Sequence, residues 1–439
     1  MINSIEEMDT YFNSFSPNFG KGNLRENRLE RMELLLDKLN RPEESFAQYH
    51  IAGSKGKGTT ASYLASLIKM KYGHCGLYMS PHVYDIRERF TDATEFFSKK
   101  DYIDAINELD SAIKDFTLPP SLGPERPTTF ELYTAYSYLL FRSKGIKHAV
   151  IETGLGGRLD ATNTLKHPKA AIFTLIELEH TNVLGHTFEE IANEKLGIVQ
   201  KGCAVYYYQE KLKNEIDKRG IKALHVDTSY KAIEQKNDSL CVTTHDDKHI
   251  LLGNPTATSV LDALYAYEIA KDQEELIDAS EYDLRQVKLP ARFEQVKLKN
   301  NRTAIFEGAH TFASTTSALI SFEELLRTEE KNTKENATLI FSLADGKDLE
   351  SIAKAIIPEF KHIVITGLGP FKKSEPEEIY QVSRKYTERD VDITLSTDAR
   401  EATKKAISET EKDDFIFILG SFYLADEIKR ALKELDYVD

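Results

Sequence analysis

The chain has 439 residues, of which 41% are hydrophobic and 29% charged, a balance typical of a globular protein large enough for two or three domains. Its net charge of −14 argues against a surface for nucleic acid or for an anionic membrane. Three scattered cysteines without a CxxC pair argue against a disulfide framework and against cysteine-based zinc sites.

The first residues, MINSIEEMDTYF, are acidic and contain no apolar core, so we expect no signal peptide. No apolar run has the length needed to cross a bilayer. We therefore expect a soluble protein of the cytoplasm.

A helix, a strand and a glycine-rich loop come first along the chain. Residues 28–39 place apolar side chains on one helical stripe, and the apolar run AQYHIA predicts a buried strand. The strand leads into HIAGSKGKGTT, residues 50–60, and a helix is predicted over residues 60–70. Such a loop can bind phosphate through its backbone N–H groups, through Lys57, and through a metal-bound hydroxyl of Thr59 or Thr60.

The match to the common phosphate-binding pattern is incomplete. Ile51 stands where that pattern begins with glycine, and Gly58 follows the lysine in place of Ser or Thr. On this loop alone, phosphate binding and a simple glycine turn explain the residues equally well.

Two further strands each end beside polar residues. HAVIET, residues 148–153, leads into ETGLGGRLDATN, and AAIFTLI, residues 170–176, is followed by His180. Ligands collect at the carboxyl ends of the strands in doubly wound sheets, so Glu152 and His180 are candidate metal ligands. Taken alone, Glu152 is better explained by a tight strand-to-helix turn with surface charges, and His180 by a hydrogen-bonded structural residue. Thr187 and Glu190 form a capping-box pattern that opens a helix over residues 187–199, which contains Lys195.

The rest of the sequence, from residue 209 onward, contains two distinct patterns. Residues 209–249 are polar and β-like, as in an excursion from the main sheet. After VKLPARFE, a second α/β set has candidate strands TAIFEG, ATLIFSLA, HIVITGL, DITLST and FIFILGS. We therefore predict domains of residues 1–289 and 290–439.

Taken together, the motifs occur in the order and spacing of one family. The glycine loop, the SPH segment, ETGLGGRLDATN, EHTNVLG, EKLGI, ARFE, EGAH and GSFYLAD together resemble the folylpolyglutamate and dihydrofolate synthases of the Mur-type ligase superfamily. The resemblance spans nearly the whole chain. It implies an α/β protein with a P-loop-type, doubly wound, mostly parallel N-terminal domain and a smaller Rossmann-like C-terminal domain.

The resemblance also implies a reaction. ATP phosphorylates the carboxylate of a folate or a dihydropteroate, and the amino group of L-glutamate attacks the acyl phosphate to form an amide. ATP and one or two Mg²⁺ ions are the implied cofactors, with K⁺ as a further candidate, and a monomer is the implied form. The implied active site lies between the domains, whose closure assembles it.

Residue roles follow from the same resemblance, position by position. Lys57 and the loop are expected to hold the ATP phosphates through Gly53, Ser54, Lys55, Gly56, Gly58, Thr59 and Thr60. The implied metal ligands are Ser80, Glu152 and His180, and Lys195 matches a lysine that the family carbamylates. Acceptor contacts are expected from Pro81, His82, Arg87 and Arg89. In the C-terminal domain, Arg292 and Glu307 are expected to contact ATP, with Glu307 and His310 near the reacting groups and His310 and Ser421 near the substrates.

The chain departs from the family pattern at five positions. Lys55 stands where the family usually has Asn, Glu307 where it has Asp, Thr311 where it has Asn, Ser259 where an Asn would contact adenine, and Glu179 where Asp usually precedes the histidine. Two other hypotheses therefore remain open: a ligase of the same superfamily with a non-folate carboxylate acceptor, and a nucleotide-binding relative with weakened catalysis.

Overall fold

The computed structural model describes residues 1–15, 28–236, 239–253, 256–370, 372–387 and 391–438. Contacts within the chain divide it into two units, Met1–Val287 and Lys288–Asp439. The boundary predicted between residues 289 and 290 lies close to this division. None of the described helices combines the length and the apolarity needed to span a membrane.

A mostly parallel sheet forms the centre of the first unit. Its strands are β1 (Ala47–Ala52), β2 (Gly76–Tyr78), β3 (Phe90–Asp92), β4 (His148–Glu152), β5 (Ala170–Phe173), β6 (Ala204–Tyr207) and β7 (Leu224–His225). Their order is β3-β2-β4-β1-β5-β6-β7, and only the β2–β3 pair is antiparallel. β1 therefore lies between β4 and β5, which brings the glycine loop, Glu152 and the segment before His180 to one edge of the sheet.

Helices pack on both faces of this sheet. They are α1 (Ile5–Asn13), α2 (Arg28–Lys38), α3 (Lys57–Tyr72), α4 (Lys99–Ile113), α5 (Thr129–Ser143), α6 (Thr181–Leu184), α7 (Phe188–Leu196) and α8 (Lys213–Lys218). Side chains of β4 alternate between two apolar cores: Ala149 and Ile151 join the core that contains α5, and Val150 joins the core that contains α3. This two-faced burial confirms the predicted doubly wound fold.

A small second sheet completes the first unit. It contains β8 (Ala232–Lys236), β9 (Ser239–Thr243), β10 (His249–Gly253) and β11 (Glu281–Asp283), in the spatial order β11-β10-β9-β8. Along the chain, helix α9 (Ala257–Asp272) connects β10 to β11. The predicted β-like excursion thus begins later, near residue 232, and extends further. Residues 209–231 instead supply α8 and β7 of the main layer.

The second unit has its own mostly parallel sheet. Its strands are β12 (Arg292–Lys297), β13 (Thr303–Glu307), β14 (Ala337–Phe341), β15 (His362–Ile365), β16 (Asp392–Leu395) and β17 (Phe415–Leu419), in the order β12-β13-β17-β14-β15-β16. Its helices are α10 (Phe312–Thr328), α11 (Thr333–Asn336), α12 (Leu349–Ile356), α13 (Pro376–Arg384), α14 (Ala399–Glu409) and α15 (Phe422–Glu434). The five predicted strands are all present. The sequence missed β12, the antiparallel edge strand, because its mixed burial gives no apolar run.

A buried ion pair ties three segments of the first unit together. Arg31 on α2 is completely buried and donates two hydrogen bonds to the Glu131 carboxylate on α5, at 2.9 and 3.1 Å. Its remaining donors reach backbone carbonyls of the 122–126 loop. The pair therefore fixes α2 and the loop against α5.

We expect Arg31→Met to lower the free energy of unfolding by about 3–5 kcal/mol, because it leaves the Glu131 charge buried without its partner. Lys100→Met is the control, since the Lys100–Asp104 pair is exposed and such pairs contribute about 0.3–0.5 kcal/mol. Urea unfolding of both variants measures the difference. Equal losses in the two variants would contradict the structural role of Arg31.

Candidate active site

The glycine loop leads into helix α3, whose first N–H groups have no side-chain cap. Gly56 is the N-cap of α3 and adopts φ +80°, a left-handed conformation that glycine accepts without strain. α3 begins at Lys57, three residues earlier than predicted, so Lys57 lies in the first turn. The uncapped N–H groups and the positive end of the helix favour an anion at this position.

Other loop residues hold the loop in place. The Ser54 hydroxyl exchanges hydrogen bonds with the backbone of Glu177, at 3.0 and 3.2 Å, and the Lys55 N–H donates to the Leu175 carbonyl at 3.1 Å. Thr60 is completely buried, and its hydroxyl donates to Asp262 Oδ1 at 3.2 Å. Of the two threonines considered as metal contacts, the structure therefore favours Thr59.

Glu152 lies at the end of β4, beside the loop. Its carboxylate is 3% exposed, with Oε1 3.9 Å from the Lys57 ammonium nitrogen. Oε2 accepts a hydrogen bond from the Ser80 backbone N–H at 2.9 Å. The structure thus brings Lys57, Ser80 and Glu152 close together.

Lys195 on α7 contacts the glycine loop through its ammonium group. Its side chain is 2% exposed, and its ammonium donates to the Gly53 carbonyl at 2.7 Å and to Glu179 Oε1 at 2.9 Å. Burial lowers the pKa of Lys195 to about 8, and the positive charge of Lys57 acts in the same direction while Glu179 opposes it. Burial acts to raise the pKa of Glu179, but the charges of Lys195 and Lys57 outweigh it and lower that pKa to about 2.

His180 follows Glu179 and adopts φ +46°, a left-handed conformation that is uncommon for a residue with a Cβ. Such backbone strain concentrates at functional sites. A narrow cleft of about 30 Å³ joins these groups, lined by Gly53, Lys57, Thr153, Gly154, Leu155, Gly156, Glu179, His180 and Lys195. A volume of this size accommodates a single ion or water molecule, whereas a nucleotide requires much more space.

The donor set around the cleft fits a divalent cation. Carboxylate and hydroxyl oxygens suit Mg²⁺ and Mn²⁺, and an imidazole is accepted by the transition metals. His180 lines the cleft and supplies the imidazole, and Glu152 supplies a carboxylate beside it, with Oε1 3.9 Å from the Lys57 nitrogen. We therefore take the cleft to be the candidate metal centre.

The SPHVYDIRERF segment has its basic side chains already engaged. Arg87 forms a forked pair with Asp85, with a shortest contact of 2.6 Å. Arg89 donates to His82 Nδ1 at 2.7 Å and stacks over the Tyr133 ring. Burial, together with the Arg89 charge, lowers the pKa of His82 to about 3, so this ring is neutral at physiological pH. Pro81 follows Ser80 at the start of the segment.

The second unit gathers its predicted residues at the carboxyl ends of β13 and β17. Both Glu307 carboxylate oxygens accept backbone N–H groups, from Phe293 at 2.9 Å and Ala309 at 2.8 Å. The Arg292 guanidinium lies over the Phe422 ring, 5.0 Å from its centroid. The His310 ring contacts the Gly308 carbonyl through Nδ1 at 2.8 Å, and Ser421 caps α15.

Two departures from the family pattern have local explanations. Thr311 is the N-cap of α10 and forms a capping box with Ser314, a role for which Thr is well suited. Ser259 lies 2.8 Å from the Thr256 hydroxyl at the start of α9, and a serine reaches less far than the asparagine expected there. Asn254 and Pro255 of the same GNPTATSV segment lie outside the described residues.

Sequence reasoning assigned no role to His50, Thr162 or Asp262, which support these loops. His50 and Thr162 are in hydrogen-bond contact although 112 positions separate them, and Thr60 and Asp262 although 202 do. A histidine inside the otherwise apolar strand AQYHIA was the available signal, because a buried histidine needs a partner.

Comparisons with known proteins identify two family domains in the chain. Residues 51–255 match the Mur ligase middle domain, and residues 291–422 match the Mur ligase glutamate ligase domain. The chain is 26% identical over 428 residues to a probable dihydrofolate synthetase of Schizosaccharomyces pombe, covering 92% of this chain and 98% of that protein.

Two solved structures share the fold. A Mycobacterium tuberculosis folylpolyglutamate synthase complexed with ADP and AMPPCP aligns with a TM-score of 0.79 at 20% identity, over 99% of this chain and 98% of that chain. A Yersinia pestis bifunctional folylpolyglutamate synthase/dihydrofolate synthase complexed with AMPPNP and a Mn ion aligns with a TM-score of 0.74 at 20% identity, over 98% of both chains.

Proposed function

Since the chain has both the middle and the glutamate ligase domains of the Mur ligases and so belongs to that family, we propose that it is an ATP-dependent ligase that joins L-glutamate to a folate or a dihydropteroate. One observation carries the proposal. Lys57, His180 and Lys195 come from three separate segments yet line one cleft beside an uncapped helix N-terminus, and Glu152, from a fourth segment, lies 3.9 Å from the Lys57 ammonium nitrogen.

The chemistry follows from these groups. A carboxylate is a poor electrophile, and phosphorylation by ATP gives it a good leaving group that the glutamate amine then displaces. The transferred phosphoryl group is anionic, so catalysis depends mainly on cations and N–H donors held in place. Lys57 and the first turn of α3 supply them. When bound, Mg²⁺ neutralises phosphate charge.

The acceptor is assigned to the segment that follows Ser80. Tyr133 packs against Arg89 of this segment, Phe130 contacts Tyr78 just before it, and the segment itself contains the neutral ring of His82. Flat heterocycles such as a pterin stack on rings of this kind. Arg87 and Arg89 are the cations proposed to contact the acceptor's carboxylate, and Arg87 would exchange its pairing with Asp85 to do so.

In the second unit, Arg292 and Glu307 are proposed to contact ATP, and His310 and Ser421 to lie near the acyl phosphate and the glutamate. Backbone N–H groups fix the Glu307 carboxylate at both oxygens, so its position is set by β12 and β13. This support suits the longer side chain that replaces the aspartate of the family pattern. We also propose a monomer as the active form, as the family resemblance implies.

We propose further that Lys195 is carbamylated in the active enzyme. The Lys195 ammonium first loses one proton to solvent, the neutral amine nitrogen then attacks the carbon of CO₂, and a second proton leaves to solvent. The cation thus becomes a carbamate anion that favours a neighbouring divalent metal. A pKa of about 8 leaves roughly one tenth of the side chain as the neutral, nucleophilic amine at pH 7, far more than an exposed lysine would have.

The proposal predicts phosphate release that depends on both L-glutamate and a pterin acceptor. Purified protein is assayed with ATP, Mg²⁺ and L-glutamate, with dihydropteroate or tetrahydrofolate as acceptor, and product mass is checked for one added glutamate. Turnover with both acceptors indicates a bifunctional enzyme, and turnover with one fixes the branch. Leaving out K⁺ tests whether that ion is required.

No phosphate release with either acceptor would contradict the folate assignment. Nucleotide binding measured on the same sample then separates the two other hypotheses. A protein that releases phosphate with a different carboxylate is a ligase with another acceptor. One that binds ATP without any turnover is a non-catalytic relative.

A further inference from the structure

Three buried polar side chains form a chain behind the loop that follows Glu152. His50 on β1 is completely buried, and its Nε2 lies 2.8 Å from the Thr162 hydroxyl. That hydroxyl lies 2.7 Å from Oδ1 of Asp160, which is also buried. None of the three lines the narrow cleft described above.

Asp160 ties down the glycine-rich loop. Its Oδ2 accepts the Leu155 N–H at 2.8 Å, and its Oδ1 accepts the Thr162 N–H at 3.0 Å. Burial raises the pKa of Asp160, while these N–H donors and that of Gly154 act in the opposite direction. Donors aimed at both oxygens are satisfied by a carboxylate, so Asp160 serves as the acceptor of the chain.

The direction of the hydrogen bonds follows from the proton count. Thr162 has one hydroxyl proton and donates it to Asp160, so its oxygen accepts from His50, and Nε2 of that ring holds the proton. Nδ1 is then the bare nitrogen, and among the described residues it has no hydrogen-bond partner. Burial lowers the pKa of His50 to about 3, so the ring stays neutral.

The other side of the loop is attached to α7. A Cβ on Gly157 would lie 2.8 Å from the Lys195 carbonyl oxygen, so the two backbones touch. The Arg158 N–H donates to the Glu194 carbonyl at 2.7 Å, and the Asn163 amide donates to the carbonyls of Arg158 and Gly197, both at 3.0 Å. The loop therefore joins β1, the end of β4, and the helix that contains Lys195.

We propose that His50, Thr162 and Asp160 are positioning residues for the ligation reaction: they fix the loop after β4 against β1, and so fix the Glu152 carboxylate relative to the phosphate loop and to α7. The inference rests on the function proposed above. These residues act through the groups that they hold, as the supporting partners of metal ligands commonly do.

Thr162→Val tests the proposal, since valine keeps the shape of threonine and removes the hydroxyl. We expect kcat to fall about 10- to 100-fold, with the KM for the pterin acceptor changed far less, because supporting residues typically contribute that much. Thr162→Ser retains the hydroxyl and should remain within about threefold of the wild type. Thr164→Val is the matched control, because Thr164 is also buried but donates to the nearby Ala161 carbonyl.

A second measurement does not depend on activity. In protein with ¹⁵N-labelled histidine, His50 should show a slowly exchanging proton on Nε2 and an unprotonated Nδ1 across the range from about pH 5 to 8. Thr162→Val should shift that proton and speed its exchange, whereas Thr164→Val should leave it unchanged. His50→Gln, whose amide nitrogen can replace Nε2, should retain more activity than His50→Leu.

Several results would overturn the proposal. They are an unchanged kcat in Thr162→Val, equal losses in Thr162→Val and Thr164→Val, or a His50 proton on Nδ1. If Thr162→Val does not fold, the histidine pair and the wild-type spectrum decide. If the wild type ligates no pterin acceptor, the proposed function fails. The ¹⁵N-histidine spectrum and the rise in melting temperature caused by Mg²⁺ and ADP, compared between wild type and Thr162→Val, then test the positioning role alone.

Discussion

Glu152→Gln is expected to abolish ligation and to leave the fold intact. Glutamine has the size and shape of glutamate, so the hydrogen bond from the Ser80 N–H can persist to its amide oxygen. The change removes the negative charge of the carboxylate whose Oε1 lies 3.9 Å from the Lys57 nitrogen. It therefore tests charge, with little effect on packing.

The expected loss in kcat/KM exceeds about a hundredfold, because even the residues behind metal ligands typically contribute 10- to 100-fold. The assay is phosphate release and product mass at several Mg²⁺ concentrations. If Glu152 binds the metal, Mg²⁺ with ADP should also raise the melting temperature of the wild type more than that of the variant.

Glu210→Gln is the control, because this carboxylate is 77% exposed and lies outside the cleft. It should match the wild type in rate and in thermal shift. Full activity of Glu152→Gln at ordinary Mg²⁺ would remove Glu152 from the metal site. A variant with a lower melting temperature in the absence of ligand would show that the loss is structural.

Local patterns predicted most of the fold because they report on burial within one element. The runs AQYHIA, HAVIE and FIFIL are buried on both faces, as parallel strands between helix layers must be, and all three are strands. The capping box at Thr187 fixed the start of α7 for a similarly local reason. The small sheet was placed less well, because the strand β8 is largely exposed and gives no alternating pattern.

The sequence indicated which residues belong to the candidate site, but it indicated fewer of the contacts between them. Motif order indicated that Glu152, His180 and Lys195 act together, and β1 between β4 and β5 brings their segments to one edge. The Glu179–Lys195 ion pair and the Thr60–Asp262 bond depend on how α7 and α9 pack, which no local pattern encodes. Helix α3 was predicted to start too late because Gly56 and Gly58 look like loop residues, although only Gly56 is in the left-handed conformation.

Lys195→Ala should lose nearly all activity, and small carboxylates added to the assay should restore part of it. The side chain lies in the cleft with Lys57 and His180, and its removal leaves both the space and the charge unfilled. If the working form of Lys195 is a carbamate, acetate or formate can supply the missing anion. If the working form is the ammonium, methylamine should restore activity and carboxylates should not.

The ion pair with Glu179 makes the two outcomes distinguishable. In the unmodified protein, Glu179 holds the Lys195 ammonium at 2.9 Å, so the resting site already balances one cation with one anion. Carbamylation replaces the Lys195 cation by an anion. The cleft then holds two anions, Glu179 and the carbamate, which Lys57 alone does not neutralise, so a divalent cation is favoured there. We therefore expect ¹³CO₂ to label the wild type more in the presence of Mg²⁺ than in its absence. Lys201→Ala, at an exposed position, should keep both activity and labelling. Rescue by methylamine, together with the absence of ¹³C label, would contradict the carbamate and assign Lys195 a direct role as a cation.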